Sequence, residues 1–273
     1  KAIILLILFR LFPLWAQQDS DYFELVKAEN QLAGLFRQLY DPEFIGDKSP
    51  VFQEIEEVFS RVLAQPVSFD YPWERLDMIG KMRSDDGQLK VFSWYMMESK
   101  ESYKYVTIFQ VRNRRDRVDL HVFGGADAAD AAAEDIDQDQ DHWHGKLYYE
   151  LITKSHRRET YYTLLGIDFH NSYSTIKTVE MITLRRGKPV FEKNAFLLED
   201  GKKNRMVCEY SAQLAMSVSF NDRLDQIVFD HLVPLHPIYT GNYQFYGPDG
   251  SYDGLDFTDG VWILREDVDA RND

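Results

Sequence analysis

Cysteine is almost missing from this sequence: Cys208 is the one cysteine in 273 residues. An intramolecular disulfide is therefore excluded, and stability has to come from the core. The sequence also lacks P-loop, G-x-G-x-x-G, G-x-S-x-G, H-E-x-x-H and C-x-x-C motifs. These absences argue against the commonest nucleotide-binding, hydrolase and redox sites, and we predict no cofactor.

Basic residues are scarce relative to acidic ones. The sequence has 31 Lys and Arg against 45 Asp and Glu, which gives a formal net charge of −14. The electrostatic field of such a negatively charged protein repels phosphate backbones and anionic membrane surfaces. We therefore predict that nucleic acid is not a partner.

The apolar run at the N-terminus is too short for an ordinary membrane span. Ala2 to Trp15 is fourteen residues, interrupted by Arg10 and Pro13, whereas a spanning helix needs about 20. Lys1 before the run and Leu14–Trp15–Ala16 after it are typical of a secretory signal peptide, predicted over residues 1–16. The alternative is a membrane anchor. With cleavage, we expect a periplasmic or secreted protein with no stable membrane span.

Two amphipathic helices are predicted over residues 17–68. Apolar residues between Asp19 and Tyr40 recur at spacings of three and four, and Ser49–Pro50 is a typical helix start. A helical hairpin follows from this pattern.

From residue 69 to 273 the pattern is that of β-strands. Short runs rich in aromatic and β-branched residues, such as Tyr103–Val111, are separated by turn residues. The fold class is therefore mainly β: an antiparallel meander of about ten strands that forms a barrel, a sandwich or a propeller-like sheet. An acidic, alanine-rich segment at 124–141 interrupts the meander, and we predict that it is a solvated insertion or a mobile loop.

The segment from Met206 to Phe220 alternates apolar and polar residues. This period of two predicts either one long bent strand or two strands that share a register, with one face buried. Cys208 lies on the apolar side, so we expect its thiol to be buried and structural.

Three groups of residues are candidate sites. In Asp141-His-Trp-His-Gly, His142 and His144 face the same way if the chain is extended, so they are candidate metal ligands; the alternative is a polar loop edge. Asp230 and His231 suggest acid–base chemistry in a hydrolase. Adjacent strand residues face opposite ways, however, so each would need a partner on a neighbouring strand.

The third candidate is Tyr246 to Trp262, which contains four aspartates and four glycines. Asp249 and Asp253 are candidate cation ligands in an oxygen-rich loop. The preferred interpretation is three tight turns, at Pro248–Gly250, Asp253–Gly254 and Thr258–Gly260. Asp253 is also a candidate catalytic acid, if it faces Asp230 and His231. The candidate ligand-binding aromatic residues are Tyr246, Tyr252 and Trp262.

Several blocks in the C-terminal half resemble a protein family. They are Tyr161–Asp168, Lys188–Phe196, Glu209–Phe220, Ile227–Pro234 and the stretch that begins at Tyr246. The succession resembles a family of exported, β-rich proteins of Bacteroidota-type Gram-negative bacteria. The resemblance implies export and a β-rich C-terminal region; it implies no activity, because none is assigned to the family.

The sequence thus favours a non-enzymatic binding or interaction protein of the cell envelope, with a ligand or protein partner that it does not identify. The alternative is an envelope hydrolase that uses Asp230 and His231 with acids of the C-terminal stretch.

Overall fold

The computed structural model describes residues 2–99, 102–126 and 132–270. The chain divides into two compact units. A helical unit comprises Lys1–Met78 with Arg112–Leu120, and a β unit comprises Ile79–Val111 with His121–Asp273.

The helical unit contains the two predicted helices, α1 (Ala2–Leu39) and α2 (Ser49–Leu63). They pack through aromatic side chains, with the ring centroids of Phe36 and Phe59 separated by 6.1 Å. Since α1 begins at Ala2, most of the predicted signal peptide is helical in this chain, and its cleavage stays a prediction. Across the described residues, we find no helix that is both long enough and apolar enough to cross a membrane.

The residues that the structure describes form fifteen strands in three sheets, nearly all within the β unit. The first sheet contains, in spatial order, β1 (Gly80–Arg83), β2 (Leu89–Ser99), β3 (Ser102–Arg112) and β4 (Val118–Ala126). The second contains β11 (Arg205–Ser211), β7 (Ser174–Arg185), β6 (Glu159–Asp168) and β5 (Leu147–His156), and β8 (Lys188–Phe191) also pairs with β7. The third contains β10 (Gly201–Lys203), β9 (Phe196–Leu198), β15 (Val261–Arg265), β14 (Tyr246–Thr258), β13 (Gln226–Pro234) and β12 (Val218–Asn221).

The predicted fold class is confirmed: the protein is mainly β, and its sheets are largely antiparallel. The exception within the described ladders is the parallel pair of β15 and β9. Each sheet is open, so the barrel alternative is wrong. There are more strands than the ten expected, because several three- and four-residue strands carry no recognisable alternation of their own.

The second sheet is buried on both faces. Neighbouring residues of β6 point to opposite sides: Leu164 joins a core with Phe109 of the first sheet, and Leu165 joins a core with Leu255 of the third. Burial on two sides explains why consecutive residues are buried along its central strands, Tyr162–Gly166 of β6 and Thr178–Thr183 of β7. It also places the third sheet against one face of the second.

The segment from Met206 to Phe220 forms two strands, as one of the predicted alternatives stated. They belong to different sheets, however, because the chain crosses from β11 in the second to β12 in the third. The alternation holds on both sides of this corner and fails within it, where Ala212–Ala215 is exposed. Its buried even positions are Met206, Cys208, Tyr210, Met216 and Val218.

The predicted acidic insertion at 124–141 is only partly a loop. Its first three residues complete β4, and residues 127–131 lie outside the described ranges. The following part is mostly exposed, as predicted, but it is also attached to the sheets: the Glu134 carbonyl accepts the backbone N–H groups of Asn204 (3.1 Å) and Arg205 (3.2 Å). The Lys203 ammonium lies 3.2 Å from the Asp135 carboxylate. Basic residues distant in sequence therefore supply the partners that the insertion lacks locally.

A charged cluster lies in the interior of the β unit. The Glu180 carboxylate accepts hydrogen bonds from Lys146 (2.5 Å), Tyr148 (2.5 Å) and Arg205 (3.4 Å). The side chains of Lys146, Glu180 and Arg205 are at most 2% exposed. Burial favours neutral Glu180, but the charges of Lys146 and Arg205 outweigh it and lower its pKa to about 2.

Candidate functional site

An open cavity of about 450 Å³ is lined by the second and third sheets. Met206 and Cys208 of β11 contribute from the second sheet. Phe229 and His231 of β13, together with Asp253 of β14, contribute from the third. Cavities of this size are typical of small-ligand sites.

The lining of the cavity is strongly acidic. Lys203 and His231 are its basic side chains. Lys203 is already balanced by Asp135 (3.2 Å) and Glu134 (3.7 Å). The six lining carboxylates are Glu134, Glu199, Asp200, Glu209, Asp230 and Asp253. The Glu134 side chain is only 27% exposed, and this burial is the main reason why its pKa is raised.

The Tyr246–Trp262 stretch is one long strand and a hairpin, not three turns. β14 runs through Thr258 because β13 and β15 pair with it on its two sides. The first predicted turn is instead a bulge in this strand. Asp230 pairs with Tyr252 and Leu232 with Pro248, so residues 249–251 stand opposite one residue of β13. Gly250 supplies the positive φ (93°) that the bulge requires.

The second predicted turn, Asp253–Gly254, is regular strand, and only Thr258–Gly260 forms a hairpin loop. Local composition suggested turns, but two flanking strands satisfy the backbone and override it. Asp259 has φ 54° in that loop. The segment therefore presents Asp253 from a strand rather than from a loop.

The strand register brings His231 and Asp253 together. Asp253 is directly opposite Phe229 in the β13–β14 ladder, and His231 is two residues beyond Phe229 on the same side of its strand. The His231 Nδ1 atom lies 2.6 Å from Asp253 Oδ2. The other oxygen, Oδ1, accepts the backbone N–H of Asp267 at 3.1 Å. The backbone thus orients the carboxylate that holds the imidazole.

The hydrogen bond to Asp253 raises the pKa of His231, and the negative charges of Asp253, Asp249 and Glu199 act in the same direction. A raised histidine pKa means that the folded state holds the proton to a higher pH than the unfolded state does. The pair therefore contributes stability below the unfolded pKa of about 6.5. That contribution is lost as the pH rises through the folded pKa.

Replacing Asp253 with asparagine is expected to lower the pKa of His231 towards its ordinary value, since the charge and the strong acceptor are both removed. The pKa is measured by NMR titration of the imidazole C–H signals. Asp259→Asn is the matched control, because Asp259 lies in the hairpin loop at the end of the same strand, whereas the charges that raise the His231 pKa are those of Asp253, Asp249 and Glu199. Equal His231 titration curves in wild type and Asp253→Asn would contradict this assignment.

Asp230 does not pair with His231. Its Oδ2 atom accepts the Ser217 N–H at 2.6 Å, and its own N–H donates to the Ser217 carbonyl at 3.1 Å. It thus fastens the corner between β11 and β12, although its side chain also lines the cavity. Of the candidate acids, Asp253 is therefore the one that pairs with His231.

The remaining aspartates of the stretch have separate partners. Asp249 Oδ1 accepts from the N–H (2.9 Å) and hydroxyl (2.7 Å) of Ser251. Asp256 binds Arg265 at 2.7 Å. Among the described residues, Asp249 and Asp253 belong to no group of three His, Cys, Asp or Glu side chains suited to a metal ion, so the structure gives the predicted loop cation site no support.

The two candidate metal ligands, His142 and His144, also have different hydrogen-bond partners. His142 Nδ1 lies 3.0 Å from Asp139 Oδ1 in an exposed pair, whereas the His144 N–H donates to Gln138 Oε1 at 3.2 Å. No group of three His, Cys, Asp or Glu side chains suited to a metal ion occurs among the described residues.

The three aromatic candidates occupy different environments. Tyr246 lines the cavity, and its hydroxyl accepts the Gly241 N–H at 3.0 Å. Tyr252 is half-buried and does not line the cavity. Trp262 is fully buried and donates from Nε1 to the Thr163 hydroxyl at 2.8 Å. The prediction that Trp262 is a ligand contact is therefore wrong, because Trp262 is a core residue.

Cys208 is buried and lines the cavity. Burial raises the pKa of its thiol to about 12, so the sulfur stays protonated at neutral pH and is a poor nucleophile. The alternation of β11 correctly predicted that this residue is buried.

Sequence reasoning missed Glu134, Glu199, Asp200 and Glu209. They belong to the insertion, the β9–β10 turn and β11, and no local motif joins them. Only the excess of acidic residues over the whole chain hinted at such a surface.

The fold and cavity define a mainly β protein of stacked open sheets with an acidic ligand-sized cavity. No family model, curated protein or solved structure matches the chain. The geometry of the cavity therefore carries the functional inference.

Proposed function

We propose that this chain is an exported, non-enzymatic binding protein whose acidic cavity binds a small organic cation in the cell envelope. The observation that carries the proposal is the excess of carboxylates in the cavity: six, against Lys203 and His231. Lys203 is already paired with acidic residues.

Shape and lining support the same class of ligand. The cavity is large enough for a small ligand and mixes charged groups with apolar and aromatic ones, including Phe229 and Tyr246. The faces of aromatic rings attract organic cations through the ring quadrupole, which is negative at the face, and carboxylates add direct ion pairing. A fully hydrated metal ion would gain nothing from the aromatic side chains.

The proposal predicts that spermidine and arginine bind and that citrate does not. Removing two exposed cavity charges in Glu199→Gln/Asp200→Asn is expected to weaken spermidine binding by about tenfold, the equivalent of about 1.4 kcal/mol. Isothermal titration calorimetry at low and at high ionic strength measures the loss, and salt should weaken binding to wild type more than to the variant.

Asp225→Asn is the matched control for this experiment. It also removes one exposed carboxylate of the β unit, which pairs with Lys154 away from the cavity lining. Absence of spermidine and arginine binding at millimolar concentrations, or equal loss in the control, would overturn the proposal.

The contact between His231 and Asp253 favours hydrolysis as the second candidate function. An imidazole held at 2.6 Å by a carboxylate is a recognised acid–base arrangement. Because Cys208 is protonated, the nucleophile would be a water molecule activated by His231. The two candidates differ in their need for His231: hydrolysis requires it as the base that activates water, whereas cation binding requires no base. Turnover of p-nitrophenyl esters that disappears in His231→Gln favours the hydrolase, whereas spermidine binding without turnover favours the binding protein.

A further inference from the structure

A group of large apolar side chains is exposed on the β unit. We call it the apolar rim, defined by Leu214, Leu235, Ile238, Tyr239 and Tyr243. Ile238 is 78% exposed and Leu235 is 58% exposed. Clusters of exposed apolar residues of this kind are typical of interaction surfaces rather than of free solvent-facing loops.

The rim is held in place by its own backbone. The Leu235 N–H donates to the Phe245 carbonyl at 2.9 Å and closes the loop that carries most of the rim. Within the loop, the rings of Tyr239 and Phe245 stack with centroids 4.3 Å apart. A surface that is already ordered loses little entropy when a partner binds.

The rim is continuous with the acidic cavity. Tyr243 belongs to both, since it is 51% exposed and also lines the cavity. Its ring lies 4.9 Å from that of Tyr246, which is a second lining residue. At the other end, Leu214 and Leu235 pack over Gly247, where an added Cβ would lie 2.3 Å and 3.3 Å from their side chains.

We propose that the rim and the cavity together bind a polypeptide segment in which a lysine or arginine is flanked by large apolar residues. This inference rests on the proposed function, because the basic side chain is the cation that enters the cavity. The lining carboxylates pair with the basic group, and the rim covers the neighbouring apolar side chains. Such a segment matches both the charge and the apolar character of the adjoining surfaces.

A lipid surface is the less favoured occupant. The cavity carboxylates adjoin the rim, and the whole chain has a formal net charge of −14. Both repel an anionic membrane. A basic, apolar peptide is attracted by the same charges.

The test is fluorescence anisotropy with a fluorescein-labelled peptide that places Leu-Arg-Phe within a Gly/Ser background. We expect it to bind at least about tenfold more tightly than two matched peptides, one with Arg replaced by Gln and one with Leu and Phe replaced by Ser, because each lacks one of the two contacts. The protein variant Leu235→Ser/Ile238→Ser is expected to lose at least about tenfold in affinity for the Leu-Arg-Phe peptide, while it keeps wild-type affinity for spermidine.

The matched control is Met78→Ser/Met97→Ser, which removes two exposed apolar side chains that are not part of the rim. Because Leu235 and Ile238 are exposed, their replacement leaves the core intact, and the retained spermidine binding verifies the fold. If spermidine binds but the three peptides bind equally, this inference fails and the proposed function stands. If neither spermidine nor any peptide binds, both fail.

Two further outcomes would overturn the inference in favour of other occupants. The first is rim-dependent binding to phosphatidylcholine vesicles without peptide binding, which assigns the rim to lipid. The second is a concentration-dependent dimer in sedimentation velocity that Leu235→Ser/Ile238→Ser abolishes, which assigns it to a second copy of this chain.

Discussion

Replacing Glu180 with glutamine is expected to destabilise the protein by about 3–5 kcal/mol, because it leaves two buried cations without their anion. In the native structure Lys146 and Arg205 both contact the Glu180 carboxylate, and none of the three side chains is more than 2% exposed. The neutral amide keeps the shape of the side chain but not its charge. Chemical denaturation at pH 7 measures the loss as a lower midpoint at unchanged slope.

Asp225→Asn is the control for this substitution. Asp225 also pairs with a lysine, Lys154, but its side chain is 77% exposed, so solvent replaces the lost partner and the midpoint should hardly move. If the denaturation midpoint of Glu180→Gln is as close to that of wild type as the midpoint of Asp225→Asn is, the buried cluster is not charged.

The difference between wild type and Glu180→Gln should also depend on pH. The pKa of Glu180 is lowered to about 2 in the folded protein, against an ordinary value of 4.5. A lowered pKa contributes stability above the unfolded value, and this contribution is lost as the pH falls through the folded one. The gap between the two unfolding free energies is therefore expected to narrow between about pH 4.5 and pH 2.

Replacing Trp262 with alanine is expected to cost about 3–5 kcal/mol of unfolding free energy, the range for large core aromatics. Trp262 is fully buried between the second and third sheets, in the core that includes Leu165 and Leu255. Its loss opens a cavity and also deprives the Thr163 hydroxyl of the indole N–H at 2.8 Å. Thermal and urea unfolding measure the effect.

Two further variants separate the causes. Trp262→Phe retains most of the ring volume but removes the hydrogen bond, so it should cost less than Trp262→Ala. Tyr173→Ala removes an aromatic ring that is 66% exposed and should leave the midpoint almost unchanged. Weaker ligand binding in Trp262→Phe at unchanged stability would instead return Trp262 to the role of a ligand contact.

Elements with a strong local period could be predicted from the sequence. The apolar stripe of α2 and its start at Ser49–Pro50, and the alternation around Cys208, each follow from contacts that recur every turn or every second residue. The change of sheet after Ser211 could not be predicted, because alternation shows which face is buried and not against which strands.

The candidate site shows the same division. Asp253 and His231 were both candidates, and strand geometry correctly excluded a direct pair of Asp230 with His231. The partner of His231 depended on the register of β13 and β14, which the bulge at residues 249–251 shifts. Trp262 was misassigned because its aromatic ring suits a core as well as a ligand site, and burial alone distinguishes the two.

By itself, the sequence determined a mainly β protein with two N-terminal helices, a buried thiol, no disulfide and a large acidic excess. These properties depend on the composition of the chain and on periodic patterns, and each pattern can be recognised within a short segment. Only the tertiary structure decided that Glu134, Asp200 and Asp253 line one cavity, and that a flexible-looking acidic insertion is held by Lys203 and Arg205. Glu134 and Asp253 are 253 − 134 = 119 positions apart and line the same cavity, because strand pairing and sheet stacking set their positions, and no local pattern encodes these.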